Sequence, residues 1–460
     1  MSHQHCRDFS RNQLLRQAAA EAGKGLPDIE AGMPLPAGTG LTRRSMLVRS
    51  AGLALSVYGA SQLGLNVLGD GIAEATAAPP SSPVLVSVFL EGGIDSLSVL
   101  APVGDPNYRR LRPRLALGPS EGRPFAEDER LRWHPAAASL AELHGEGKVT
   151  VLPSVGYTDP DQSHFTSRHF YEVGSTSASA STGWMGRYLD RVGSSSNPLQ
   201  GLALDGRLAP ALATSKVPVS AVEGPDDYGF WARGVWGDPE EWMLEAMGRI
   251  GGAQSGDPAR TAAGEVAVQA GRLRRQLAPF SGGSPPAGAG YPSSEEEPFP
   301  GQLSSLAAML AAGLPLRCVA LTAPGDHDTH DDQAGDLARN LKLTSDSLRA
   351  FQRDLEARGL ANRVLVHVWS EFGRRAEENG SRGTDHGAGG VGFVVGSRAR
   401  GQMVGEFPGL GSGGLDGDGN LRATSDFRAL YCSLLEQWMG TDASGLIPSA
   451  ASFSRPRLVA

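Results

Sequence analysis

The chain has 460 residues with 61 glycines, only 6% aromatic residues and a net charge of −8. That length suits one large α/β domain or two modest ones. The acidic balance, with no basic stripe carrying interleaved aromatics, argues against a nucleic-acid surface. Three cysteines (Cys6, Cys318 and Cys432) without a CxxC pair argue against a thiolate metal site.

At the N-terminus, Thr42-Arg43-Arg44-Ser45-Met46-Leu47 precedes an uncharged stretch, 50–69, rich in Leu, Ala, Gly and Ser. Two small-x-small triplets follow, Ala73-Glu74-Ala75 and Ala75-Thr76-Ala77. A twin arginine, a mildly apolar region and a small-residue cleavage site in that order predict a twin-arginine signal peptide over 1–77. The expected partner is the twin-arginine export machinery, and the expected location is periplasmic, cell-envelope or extracellular. The apolar stretch is just long enough to span a bilayer. Its glycines and serines make it weakly apolar, so no lasting membrane anchor is expected.

The mature part begins with an apolar, β-branched run at 84–90, which predicts a buried parallel strand. It ends in Glu91-Gly92-Gly93-Ile94-Asp95-Ser96, where two glycines permit a tight turn and close approach to a ligand. Asp95 then stands at the strand's carboxyl end, as a ligand or as a helix N-cap. A short helix at 136–143 and a strand at 149–152 come next, with His134 as a turn residue. Asp161-Gln162-Ser163-His164-Phe165 leads into a helix over 166–173, and another helix starts within 183–189. Ser163 at a helix start sits beside exposed backbone N–H groups, a cradle for an anion, and is a candidate nucleophile if a metal or base activates it. A simple cap is the plainer reading.

Residues 200–300 hold short strand-like pieces, a helix at 259–277 and a Gly/Ser/Pro/Glu-rich stretch at 281–300. They are expected to form an insertion or cap over the sheet. A helix at 303–312 precedes a strand at 316–323. Leu337, Leu341, Leu348, Phe351 and Leu355 recur at helical spacing, and Gly359 is placed to stop that helix. A strand at 364–369 then completes a βαβ unit, hence a parallel sheet. His367 inside that strand is expected to be a core histidine. Ser425 is expected to cap a closing helix.

Three polar clusters accompany the later strands: Gly325-Asp326-His327-Asp328-Thr329-His330-Asp331-Asp332-Gln333, Ser370-Glu371-Phe372-Gly373-Arg374 and Gly383-Thr384-Asp385-His386-Gly387. Acids and histidines at strand ends collect at the carboxyl edge of a sheet, where open α/β folds bind ligands. Asp328 and His330 lie two apart, so an extended backbone turns both side chains the same way. Carboxylate and imidazole together suit a divalent transition metal, zinc or manganese first, better than calcium. Solvated acidic loops and His–carboxylate pairs that merely lock loops are the plainer alternatives. His327, Asp331 and Asp332 are expected to be exposed neighbours.

These residues resemble a bacterial family called domain-of-unknown-function family 1501. The likeness runs from the twin-arginine signal through Gly92-Gly93-Ile94-Asp95, Ser163-His164-Phe165, Gly183-Trp184-Met185-Gly186-Arg187, Asp328-Thr329-His330, Ser370-Glu371-Phe372-Gly373-Arg374, Gly383-Thr384-Asp385-His386-Gly387 and Asp426-Phe427-Arg428. The family is placed in the alkaline-phosphatase-like superfamily of phosphatases, sulfatases and phosphomutases. That placement implies an α/β/α sandwich over 78–455 with a mostly parallel central sheet and metals at its carboxyl edge. Carried over by position, it implies metal ligands at Asp95, Asp328, His330, Glu371, Asp385 and His386. It further implies Ser163 as nucleophile and His164 as proton carrier or spare ligand, with Arg374 on the substrate's anion unless it is a surface arginine. Phe372 stands where the superfamily usually has a histidine, so one ion or two are both open. The expected function is an exported metal-dependent hydrolase of a phosphate, sulfate or related ester, on a small-molecule or polymer substrate. A non-catalytic cell-envelope binding protein that retains the fold is the alternative.

Overall fold

A computed structural model describes residues 33–38, 56–58, 82–194, 197–222 and 285–460, with scattered residues between 242 and 249. The twin-arginine motif, the cleavage triplets, Cys6 and the helix expected at 259–277 lie outside the described residues. Among those described, no helix is long and apolar enough to cross a membrane. The chain divides into two compact units. One comprises Met1–Ser82, Ser179–Pro285 and Ser304–Ala320, and the other Pro83–Ala178, Pro286–Leu303 and Leu321–Ala460.

Every residue of the candidate site falls in the second unit. Its strands are β1 (Val84–Phe89) and β2 (Val149–Gly156), followed by helix α1 (His164–Val173) and the long helix α2 (Gln333–Ala357). Then come β3 (Val364–Trp369), the hairpin β4–β5 (Arg374–Glu378 and Thr384–His386), β6 (Gly390–Val395), β7 (Ser425–Asp426) and helix α3 (Phe427–Ser433). The sheet order within this unit is β1-β3-β6-β2-β7. β1 and β3 are parallel, Val84 facing Val364 and Phe89 facing Trp369, and β2 and β7 are parallel too. Only β6 runs against its two neighbours. Its direction follows from how it is reached: the hairpin β4–β5, and no helix, fills the connection from β3 to β6, whereas a parallel return is usually made by a helical crossover. The strand at Cys318–Thr322 is therefore not the neighbour of β3 that a simple βαβ reading implies, because β3 has β1 on one side and β6 on the other.

In the first unit, Gly201–Leu204 pairs in parallel with both Val219–Val222 and Cys318–Thr322. Ser56–Tyr58 adds an antiparallel edge. The described part of the expected insertion thus contributes sheet strands. The elements make a mixed α/β fold whose strands run mostly parallel, with helices between them, as the sequence led us to expect.

Packing follows the apolar pattern. Leu337, Leu341, Leu348, Phe351 and Leu355 form the buried stripe of α2, each such side chain stabilising the fold by roughly 1.5–3 kcal/mol on burial. Gly359 ends the helix region at φ +71°, where a side chain would be strained. Tyr171 of α1 stacks on Trp369 of β3 (5.5 Å) and on Phe427 of α3 (4.2 Å), which clamps two helices to the sheet. His367 is a core residue as expected, and burial pushes its pKa down to about 3. The closing helix is capped by Asp426, whose Oδ1 accepts from Arg428 N at 2.8 Å, rather than by Ser425.

Candidate metal centre

The three polar clusters meet at Asp328. Its Oδ1 lies 3.4 Å from His164 Nε2, 3.1 Å from His386 Nε2 and 3.0 Å from His330 Nε2. His164 is the first residue of α1, and Ser163 is that helix's N-cap. His386 closes β5, and Asp328 lies in the loop before α2. Asp328, His164 and His386 are brought together because separate strands and a helix end at one edge of the fold.

Each ring is held from behind. His164 Nδ1 faces Glu371 Oε1 at 2.8 Å, and His386 Nδ1 faces the Gln162 carbonyl at 2.8 Å. Both partners are acceptors, so Nδ1 donates in each case and Nε2 is turned toward Asp328. His164 Nε2 and His386 Nε2 are 3.0 Å apart. Two imidazole lone pairs and a carboxylate oxygen at such separations repel one another unless a cation or shared proton lies among them. Tetrahedral zinc, with bonds of about 2.0 Å, sets its ligand atoms about 3.3 Å apart. The observed 3.0, 3.1 and 3.4 Å match that spacing. The donor set therefore fits, and His164, Asp328 and His386 could hold a metal ion.

Electrostatics favour an ionised carboxylate here. Burial raises the pKa of Asp328, but its contacts with His164, His330 and His386 and the Arg374 charge outweigh it and hold the group well below its ordinary range. Glu371 follows the same logic. It is fully buried, yet the His164 contact and the backbone N–H groups of Gly92 (3.0 Å) and Gly93 (3.2 Å) keep its pKa lowered. Those glycines have φ of +104° and +80°, and a Cβ on Gly93 would enter the Phe372 ring. The turn thus needs glycine at both places.

The remaining expected residues are placed differently. Asp95 is the N-cap of the short helix Ser96–Val99 and is bound in bidentate fashion by Arg112, at 2.5 and 2.9 Å. Ser98 and Gln333 fill its remaining acceptor positions, so it stands in a closed ion pair and not among the metal-capable atoms. Glu371 is the carboxylate behind His164, in the manner of an outer-shell partner. Asp385 is about half exposed and lies 3.2 Å from His330 Nδ1. The Nε2 of His330 is faced by Arg374 Nη1 at 3.4 Å, so this histidine flanks the group.

Arg374 is fully buried, not on the surface. It donates to the carbonyls of Gly93, Thr384, Gly92 and His327 and to Asp328 Oδ1. Its role is to neutralise Asp328 and tie the loops together, which leaves little for a substrate anion. Ser163 is buried, and its Oγ accepts from Thr166 N at 3.5 Å. His327, expected to be exposed, is buried, which pushes its pKa down to about 4. Phe372 packs on both His164 (4.8 Å) and His386 (4.9 Å) and offers no ligand atom there.

Residues 289–446 match the model of a family described as Protein of unknown function (DUF1501). Over this segment the chain is similar to the DUF1501 family. The matched segment carries Asp328, Glu371, Arg374 and His386, while His164 comes from outside it. No curated protein matches the chain. Arg112 and the Gln162 carbonyl went unread in the sequence, and Gln333 was noted only as the end of the first polar cluster. None has a spacing signal for its role, since each acts on residues that the fold brings to it.

Proposed function

We propose that the protein is an exported hydrolase-like protein with a single divalent metal ion, zinc or manganese, acting on a phosphate, sulfate or related ester. One observation carries the reading: two histidine Nε2 atoms and a carboxylate oxygen converge at 3.0–3.4 Å, with each Nδ1 held by an acceptor. Three protein ligands that leave room for a further one are the pattern of a catalytic rather than a closed structural site. When bound, the ion would polarise an ester oxygen and ease deprotonation of a nucleophile.

The chain's own residues would do the rest. Glu371 orients His164, and Arg374 holds Asp328 ionised at its place. The start of α1 supplies the N–H groups of a ten-residue helix beside His164, where an ester's anionic oxygens are favoured. Ser163, next to His164 in the chain, remains the proposed nucleophile. Phe372 favours one ion over two. Export by the twin-arginine route rests on the motif at 42–47 and its following segment. It fits a protein that acquires a metal before crossing a membrane.

The engagement of Arg374 by protein groups favours a second reading, a binding protein that kept the fold without turnover. Elemental analysis of purified protein beside the His164→Ala/His386→Ala variant tests the metal. About one equivalent of transition metal, lost in the variant, is expected, and a folded protein that takes up no added metal would sink the reading. An ester screen on the loaded protein and on Ser163→Ala then separates the two: turnover abolished with metal retained supports the hydrolase.

A further inference from the structure

We infer that Gln333 is a positioning residue of this metal centre, setting the spacing between the Asp328 loop and the His386 strand. The inference rests on the metal reading above. Gln333 is buried and begins α2. Its Nε2 donates to Asp95 Oδ2 at 2.5 Å and to Ser98 Oγ at 3.2 Å. Its Oε1 accepts from Thr384 Oγ1 at 2.6 Å and from Thr329 Oγ1 at 3.1 Å. The orientation of the amide is dictated by chemistry. Ionised Asp95 only accepts, so the NH2 end must face it, and the oxygen is left for the two threonine hydroxyls.

The two threonines sit at the places that matter. Thr329 lies between Asp328 and His330, and Thr384 is two residues before His386. A direct backbone bond, Thr384 N to Thr329 O at 3.0 Å, joins the same two segments. The anchor on the other side is rigid. Asp95 is locked by Arg112, and Arg112 also donates to the carbonyls of Ala376 (2.9 Å) and Arg375 (2.8 Å) in β4. Gln333 is itself pinned. Asp332 and Arg382 both adopt left-handed backbone (φ +41° and +62°), and Gln333 N donates to Arg382 O at 3.0 Å. Strained turns of this kind persist only where surrounding contacts over-determine them. The Asp95–Arg112 pair thereby reaches the ligands without touching them, through one amide and two hydroxyls.

The test uses the full chain and three readouts: zinc affinity by competition with a chelating dye, visible absorption of the cobalt(II) form, and melting of the metal-free protein. Gln333→Met removes both ends of the link at similar volume, and Thr384→Val removes one hydroxyl. Each is expected to weaken zinc binding by about 10–100-fold, the usual effect of losing an outer-shell partner. The cobalt spectrum should change, and the double variant should lose little more than the worse single. Unchanged zinc affinity and cobalt spectrum in the folded variants overturn the positioning role and leave the metal centre standing. A wild-type chain that binds neither zinc nor cobalt overturns the metal reading and this inference with it. Should Gln333→Met fail to fold, Thr384→Val decides the matter alone.

Discussion

Asp95 and Asp328 lie in the same unit, are both largely buried, and are both held ionised, yet their surroundings teach opposite lessons. Around Asp95 the charge is answered by Arg112 in bidentate geometry, and a serine and an amide supply the remaining donors. Around Asp328 one arginine donor contacts Oδ1, and three imidazoles crowd the same oxygen. The first environment is closed and serves stability. The second brings lone pairs together and could hold a cation. A carboxylate's use is decided by what faces it.

The largest effect should come from opening the closed site. Arg112→Met leaves Asp95 buried without its cation, and removing one partner of a buried ion pair costs roughly 3–5 kcal/mol. Urea unfolding should show a loss of that order. A loss under 1 kcal/mol would mean the pair is not the anchor described here.

Asp328→Asn makes the contrasting case. It removes the anionic ligand, and zinc affinity should fall by at least about 100-fold, equivalent to roughly 2.7 kcal/mol. Stability of the metal-free protein should change less than for Arg112→Met, since relief among the histidines offsets the lost Arg374 contact. Calorimetric titration with zinc reads the first, and urea unfolding the second. Retained zinc affinity would place the ion elsewhere.

Glu371→Gln should act more mildly. The amide oxygen can still accept from His164 Nδ1, but without a charge to strengthen that ring as a ligand, so zinc binding should weaken by about tenfold. A loss as large as that of Asp328→Asn would promote Glu371 from partner to ligand.

The sequence made some of this legible and not the rest, for physical reasons. β1 and β3 were readable because continuous apolar, β-branched runs betray strands buried on both faces. The stripe of α2 was readable from its period. The reversed direction of β6 was not, because direction depends on whether a helix or a hairpin fills the connection, and the hairpin before β6 carries no residue pattern of its own. At the site, Asp328 and His386 were found as residue types at strand ends. Asp95 was not separable from them by the same rule, since Arg112 sits within an arginine-rich stretch, 109–114, that gives no hint which side chain turns inward. His164 was weighed chiefly as a proton carrier, because its partners Glu371, Asp328 and His386 are supplied by the fold.

The last prediction concerns the core rather than the site. His367 is buried with its Nδ1 unpartnered, and burial lowers its pKa from 6.5 to about 3. Its folded value is depressed, so its contribution to stability is complete above the unfolded pKa near 6.5 and is lost as pH falls through about 3. Between those values the unfolded chain takes up one more proton than the native one at this position. One proton is worth about 1.4 kcal/mol per pH unit. His367→Leu keeps an apolar side chain of similar size and removes the proton. Its unfolding free energy should therefore fall less steeply between pH 6 and pH 4 than that of the wild type, by about that slope, while at pH 7.5 the two should differ little. Parallel slopes would mean that His367 is protonated or hydrated in the folded state. The acid sensitivity would then belong to His327, whose pKa is pushed down to about 4 and which lies next to Asp328.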